Sequence, residues 1–137
     1  MDKTRYSPHT FFIANPLPVV DCKEPIKAFS YCEHKSVTLP ETLLEIGNEA
    51  FRSSFMLSGI TVPNSVKTIG EMAFADCAEL TSATLSDAMT AIPARLFGNC
   101  AKLTSVTIGS STTEVDDGAF SGCGKLAEIY CKATTPP

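Results

Sequence analysis

The sequence predicts an α/β-type solenoid, a coil of short repeats that each supply one strand to a shared sheet. Two observations carry this reading. The 23-residue stretch Leu57–Glu79, LSGITVPNSVKTIGEMAFADCAE, returns without a gap as Leu80–Lys102 and again as Leu103–Lys125. Each copy also opens on the same period-two run of apolar residues and then on turn formers, so one strand per copy is expected. A looser copy, His34–Met56, precedes these three, and a truncated copy, residues 126–137, follows them.

Residues 1–33 lie outside the regular period and are expected to cap the N-terminal end of the stack. Pro8, Pro16, Pro18 and Pro25 forbid a long helix there. The run Ala28-Phe29-Ser30-Tyr31-Cys32 matches half of the later repeat, after which His34 takes the slot held by Leu57, Leu80, Leu103 and Leu126. The strands are expected at 37–39, 60–62, 83–85, 106–108 and 129–131, all parallel in one sheet, with the first and third residue of each turned inward. Pro40-Glu41-Thr42, Pro63-Asn64-Ser65, Ser86-Asp87-Ala88 and Gly109-Ser110-Ser111 then supply tight-turn chemistry. Ile46, Ile69, Ile92 and Val115 each stand five residues before Phe51, Phe74, Phe97 and Phe120. That spacing predicts one or two helical turns per repeat, with the phenylalanines stacked as a buried spine. Ser53, Asp76, Asn99 and Gly122 follow, residue types suited to a left-handed backbone.

Taken together, L-x-x-[IV]-x-[IV]-P-x-S-V-x-x-I-G-x-x-A-F-x-x-C resembles the BspA-like, or treponemal-type, class of leucine-rich repeat, over residues 34–137. The resemblance implies a right-handed coil with a short parallel β-sheet on the concave face and short helical turns on the convex face. It also implies a surface or secreted binding protein of a host-associated bacterium. Departures from the pattern are Pro93 and Asp116 where Gly47 and Gly70 stand, Thr112 in an apolar slot, and Ser54 in the cysteine slot.

Composition narrows the function classes. A formal charge of −4 and a pI near 5.1 argue against nucleic acid, whose binding runs on Lys and Arg neutralising phosphates. No apolar run reaches the ~20 residues of a membrane span. At the N-terminus, Asn15, Pro16 and Pro18 interrupt the apolar run Phe11-Phe12-Ile13, so no signal peptide is read there. A cell-surface or secreted location is the resemblance's implication alone.

The six cysteines are the first place to look for chemistry. Cys32, Cys77, Cys100 and Cys123 share one column of the repeat. Parallel rungs hold successive Cβ atoms ~4.8 Å apart, beyond disulfide reach, and a straight ladder does not converge tetrahedrally on zinc. They are expected to be small core residues. Cys131 occupies an inward strand slot and is assigned to the core as well. Cys22 and Cys32 are the pair with freedom to bridge, and the residues leave that pairing open. Cys32-x-His34 lacks a third orienting group, and neither a phosphate-cradling loop, a nucleophile elbow nor an H-E-x-x-H zinc helix is present. No catalytic residue, cofactor or metal is expected.

The outward strand column remains: Thr38, Thr61, Thr84, Thr107 and Tyr130. A sheet-lined concave face is what solenoids commonly use for binding, so these residues are the candidate ligand-binding set, for a protein or a glycan. A Thr column is also what a parallel sheet favours on structural grounds alone. The alternative function is a structural spacer or assembly unit. It would dock through its C-terminal end, where Leu126, Ile129 and Cys131 would be left uncovered, either to a second copy of the chain or to another domain.

Overall fold

In the computed structural model, the described residues are 35–133 together with Thr10–Phe12 and Val19–Val20. The half-repeat at Ala28–Cys32, the Cys22 and Cys32 pair and His34 lie outside them. The strands in chain order are β1 (Thr10–Phe12), β2 (Val19–Val20), β3 (Ser36–Thr38), β4 (Glu45–Ile46), β5 (Gly59–Thr61), β6 (Thr68–Ile69), β7 (Ser82–Thr84), β8 (Ala91–Ile92), β9 (Ser105–Ile108), β10 (Glu114–Val115) and β11 (Glu128–Cys131). Every ladder among them is parallel.

The main sheet is four-stranded, in the order β11-β9-β7-β5. Its register follows the repeat without slippage, with Thr61 beside Thr84, Thr84 beside Thr107, and Thr107 beside Tyr130. The strands sit within one residue of the expected positions. Strand β3 departs from the expectation of a single sheet, because it ladders with β1 in a separate two-stranded sheet. It still lies against β5, and Ser58 N donates to Lys35 O at 3.0 Å across that junction.

Period-two burial makes the core. Ile60, Val62, Ala83, Leu85, Val106 and Ile108 point inward and are buried. Leu57, Leu80 and Leu103, at the head of each turn, are fully buried. Opposite them stand Phe51, Phe74 and Phe97, also fully buried. The rings stack from Phe51 to Phe120 with centroids 5.2, 5.8 and 5.8 Å apart and planes within 15° of parallel. Adding offset stacking to area burial contributes roughly 0.5–1.5 kcal/mol per aromatic pair. The expected spine is present, although Phe120 at its end is half-buried.

The helical turns expected before these phenylalanines are not formed, and no described residue is helical. The reason lies in where the backbone N–H groups go. One set closes tight turns: Ala50 N to Gly47 O, Arg52 N to Glu49 O, and Ser54 N to Phe51 O. The alternate set crosses to the next repeat: Glu49, Phe51 and Ser53 N donate to Glu71, Ala73 and Ala75 O at 2.8–2.9 Å. The same crossing recurs from Met72, Phe74 and Asp76, and again from Arg95, Phe97 and Asn99. A helix would spend every N–H within itself; this ribbon of turns spends half of them on its neighbour. Turning alternate N–H groups along the stack requires a left-handed residue every fourth position. Positive φ is found at Glu49, Ser53, Met72, Asp76, Arg95, Asn99, Gly118 and Gly122. Ser53, Asp76, Asn99 and Gly122 thus do adopt the left-handed backbone expected of them, inside the ribbon rather than at a helix end. Non-glycine side chains such as Met72 and Arg95 bear a cost of roughly 1–2 kcal/mol in that conformation, offset by the bonds it aims.

Between sheet and ribbon runs a second strip that the sequence reading missed. Its strands β4, β6, β8 and β10 each contribute two residues, and Ile46, Ile69 and Ile92 anchor it in the core. The strip is split into β2-β4-β6 and β8-β10. Just past these strands Gly70 N donates to Ile46 O at 2.7 Å and Asp116 N to Ile92 O at 2.9 Å. The corresponding residue at the split is Pro93, which has no N–H to give.

Polar side chains stitch successive repeats at the surface. Asn48 Oδ1 accepts from Glu71 N, Asn64 Oδ1 from Asp87 N, and Asp87 Oδ1 from Ser110 N. Asp76 accepts from Asn99 Nδ2 at 3.0 Å and from Arg52 Nε at 2.9 Å. The Asn99 amide, with the Arg52 guanidinium behind it, holds the Asp76 carboxyl below the usual carboxylate range. Asp87 is lowered too, by the Ser110 N–H first and then by Lys132. Thr112, in an apolar slot, is buried with its Oγ1 donating to Met89 O at 3.1 Å.

Two outcomes follow. Truncating Phe74 or Phe97 to Ala should cost ~3–5 kcal/mol, read by chemical unfolding; a loss under about 1 kcal/mol would show that the spine is not core. Because Asp76 and Asp87 are depressed in the folded state, their stabilisation is fully present above the ordinary carboxylate pKa. It is lost as pH falls through the folded values. Unfolding midpoints should therefore drop on acidification, and Asp76→Asn should flatten that dependence.

Candidate functional site

The candidate column is placed on the outer side of the main sheet. Thr61 and Tyr130 are exposed, and Thr84 and Thr107 are half-buried between neighbouring rungs. Thr38 is exposed on β3 at the adjoining rung. Alternation along each strand puts these side chains on the face opposite the core.

The structure brings Thr38, Thr61 and Thr84 together in one open groove of about 390 Å³ that also includes Gly59, Ser82, Pro63 and Glu41. It does not bring in Thr107 and Tyr130, which continue the same row on β9 and β11 outside the groove. Gly59 leaves the floor low, because the face carries no side chain there. Val37, Leu39, Ile60 and Pro63 supply apolar lining, the threonines and Ser82 supply hydroxyls, and Glu41 is the one ionisable group in the lining.

Hydroxyls on this protein fall into two populations, which the sequence did not separate. Ser58, Thr81 and Thr104 each donate to the main-chain carbonyl of the residue 23 positions earlier, at 3.0–3.2 Å. They are structural. The hydroxyls of Thr38, Thr61, Thr84 and Thr107 make no hydrogen bond among the described residues and stay available to a ligand. A [ST] immediately after the repeat's leading Leu, at 58, 81 and 104, is the signal that marks the first population.

The cysteine column is internal. Cys77 and Cys100 are fully buried and Cys123 is half-buried. Their Sγ atoms donate to Phe51, Phe74 and Phe97 O at 3.3, 3.1 and 3.1 Å. The neighbouring Cys77 thiol and burial push the Cys100 thiol up, and burial pushes up Cys123. A thiol held protonated is a poor nucleophile and metal ligand. Cys131 does not reach the core position assigned to it: it packs against the core and is only half-buried, with no strand beyond β11 among the described residues. Among the described residues no group of three or more His, Cys, Asp and Glu could hold a metal ion, and no helix is long and apolar enough to cross a membrane. In a native thiol-labelling experiment Cys77 and Cys100 should resist modification until denaturant is added, while Cys131 reacts before either of them. Rapid native labelling of Cys77 and Cys100 would refute their assignment to the core.

Comparison with known proteins agrees with this geometry. Residues 25–135 match the BspA type leucine rich repeat region in six copies. A leucine-rich repeat protein from Bacteroides ovatus is 32% identical, with a TM-score of 0.76 over 85% of this chain and 30% of its own. A leucine rich cell surface protein from Faecalibacterium prausnitzii is 26% identical, with a TM-score of 0.72 over 95% of this chain and 33% of its own. The T. pallidum leucine rich repeat protein is 32% identical, with a TM-score of 0.68 over 72% of this chain and 47% of its own. The chain thus spans 30–47% of the length of these structures. Among curated proteins none matches. With the family model covering the parallel rungs, the phenylalanine spine and the cysteine column together, the chain belongs to the BspA-type leucine-rich-repeat family.

Proposed function

We propose that this chain is a non-catalytic recognition module of a cell-surface or secreted bacterial protein, binding a protein or glycan through the hydroxylated face of its main sheet. The observation that carries the reading is the groove over β3, β5 and β7. Its threonine hydroxyls are free while the structural hydroxyls elsewhere are bonded to backbone. A hydroxyl both donates and accepts, so a rigid row of them suits sugar hydroxyls or an extended polypeptide edge. The family and the cell-surface relative support the location.

The test is binding of the purified chain to an immobilised panel of cell-surface glycans and extracellular proteins, compared with the double variant Thr61→Lys/Thr84→Lys. Both positions face away from the core, so the variant should still fold, with a midpoint lowered by two lysines set opposite each other on β5 and β7, and lose at least about tenfold in affinity. Binding that the double variant leaves intact would move the site off this face.

A further inference from the structure

The groove of the proposed site lies where the repeating pattern of hydrogen bonds breaks. At the next two junctions of the main sheet the residue after the strand donates to the following turn, Val62 N to Thr84 O at 2.8 Å and Leu85 N to Thr107 O at 2.9 Å. The equivalent pair between β3 and β5 is Leu39 N and Thr61 O. Among the described residues these two groups are not bonded to each other, and β3 and β5 belong to different sheets. The side-chain stitch is missing at the same place. Asn64 and Asp87 each accept from the N–H 23 residues on, at 2.8 and 3.1 Å. Glu41 holds their position in the preceding repeat, yet among the described residues its carboxylate takes no such bond from Asn64 N. Ser58 N still donates to Lys35 O at 3.0 Å, so the fault is confined to the far end of the two strands. Leu39, Glu41 and Thr61 all line the groove there.

These unspent groups define what the groove can hold. Buried main-chain groups are nearly always paired, and Leu39 is only 6% exposed, so the partner of its N–H comes from the groove side. The Thr61 C=O adds an acceptor, and the Thr38 and Thr61 hydroxyls donate or accept. Glu41 is exposed and has no ion pair among the described residues. No Lys, Arg or His is in the lining, so an anionic ligand finds no countercharge there while a cation does. Leu39 and Pro63 supply an apolar flank for the methylene stem of a long basic side chain. No lining residue is aromatic, which leaves a sugar ring without a π face to rest on. From this arrangement we propose that the groove takes an extended segment of a protein partner carrying one arginine or lysine. The basic head pairs with Glu41 in a charge-assisted contact, and a main-chain amide of the segment accepts from Leu39 N and donates to Thr61 O. In a trans peptide unit the C=O and N–H point to opposite sides, which matches a donor on β3 and an acceptor on β5. The proposal rests on the reading of the groove as the binding face, and adds the chemistry of its occupant.

Selection of random linear peptides displayed on phage against the immobilised 137-residue chain, at physiological ionic strength, tests the proposal. Enriched sequences, resynthesised as free peptides, should share an arginine or lysine. Replacing that residue by alanine in the peptide, or Glu41→Gln in the chain, should each weaken binding by at least about tenfold. Glu114→Gln removes an acid outside the groove and should leave binding unchanged, which controls for the net charge of the chain. Both glutamates are exposed, so both variants should keep the parent's unfolding midpoint. In the free chain the Leu39 amide should exchange its hydrogen faster than those of Val62 and Leu85, and bound peptide should slow it at least about tenfold. The proposal is overturned by a selection that enriches nothing, by peptides without a shared basic residue, by equal affinity for the parent and Glu41→Gln chains, or by a Leu39 amide that binding leaves unprotected. If such peptides still lose binding to Thr61→Lys/Thr84→Lys, the groove stands as the binding face and only the assigned occupant is wrong. A peptide or glycan that the double variant holds as tightly as the parent moves the site off this face and takes this proposal with it.

Discussion

Backbone hydrogen bonds donated from one turn of the coil to the next are what the rest of this structure depends on. They occur in the main sheet, in the narrow second strip and in the ribbon of turns. A single 23-residue turn cannot bury Leu57, Ile60, Val62, Ile69 and Phe74 by itself; it needs a neighbour on each side. The bonds fix that neighbour at one rung spacing, and the side chains must then be ones that tolerate stacking on copies of themselves. Phenylalanine does so through its faces, and threonine through its methyl and hydroxyl. Cysteine does so by lending its thiol to the carbonyl of the previous Phe.

The same constraint explains which parts of the fold could be read from the sequence. Period-two apolar spacing repeated every 23 residues leaves a parallel stack as the economical solution, so the strands and the inward residues were legible. The ribbon was not. Ile-to-Phe spacing of five with an intervening Ala fits a helical turn as well as it fits a chain of tight turns. The deciding signal, a left-handed residue every fourth position, is carried by Met72 and Arg95 as well as by Gly118. Local residue preference loses there to bonds that exist only once the next turn is in place.

The candidate site was legible to a similar depth. Its row of outward residues follows from alternation, but the row is not uniform. Thr38, Thr61 and Thr84 share a groove with Gly59, whereas Thr107 and Tyr130 lie outside it. Likewise the sequence offered two sets of hydroxyls with equal chemistry. Only the geometry shows that Thr81 and Thr104 are committed to carbonyls while Thr84 is not. The Asn and Asp side chains that cap the next repeat's N–H groups read in sequence as ordinary turn residues, since the partner they serve is 23 positions away.

Pro93 gives the coil a mechanical asymmetry. Where it sits, the repeats 57–79 and 80–102 stay laced along the main sheet through β5 and β7 but are unlaced along the strip between β6 and β8. The strip is flanked on both sides by bonded elements, since Met72, Phe74 and Asp76 N still donate across the same junction in the ribbon. The missing bond therefore leaves a gap in the middle of the junction and not a hinge along its edge. Ile69 and Ile92 stay buried on either side of it, so along that line apolar packing alone holds one turn of the coil to the next.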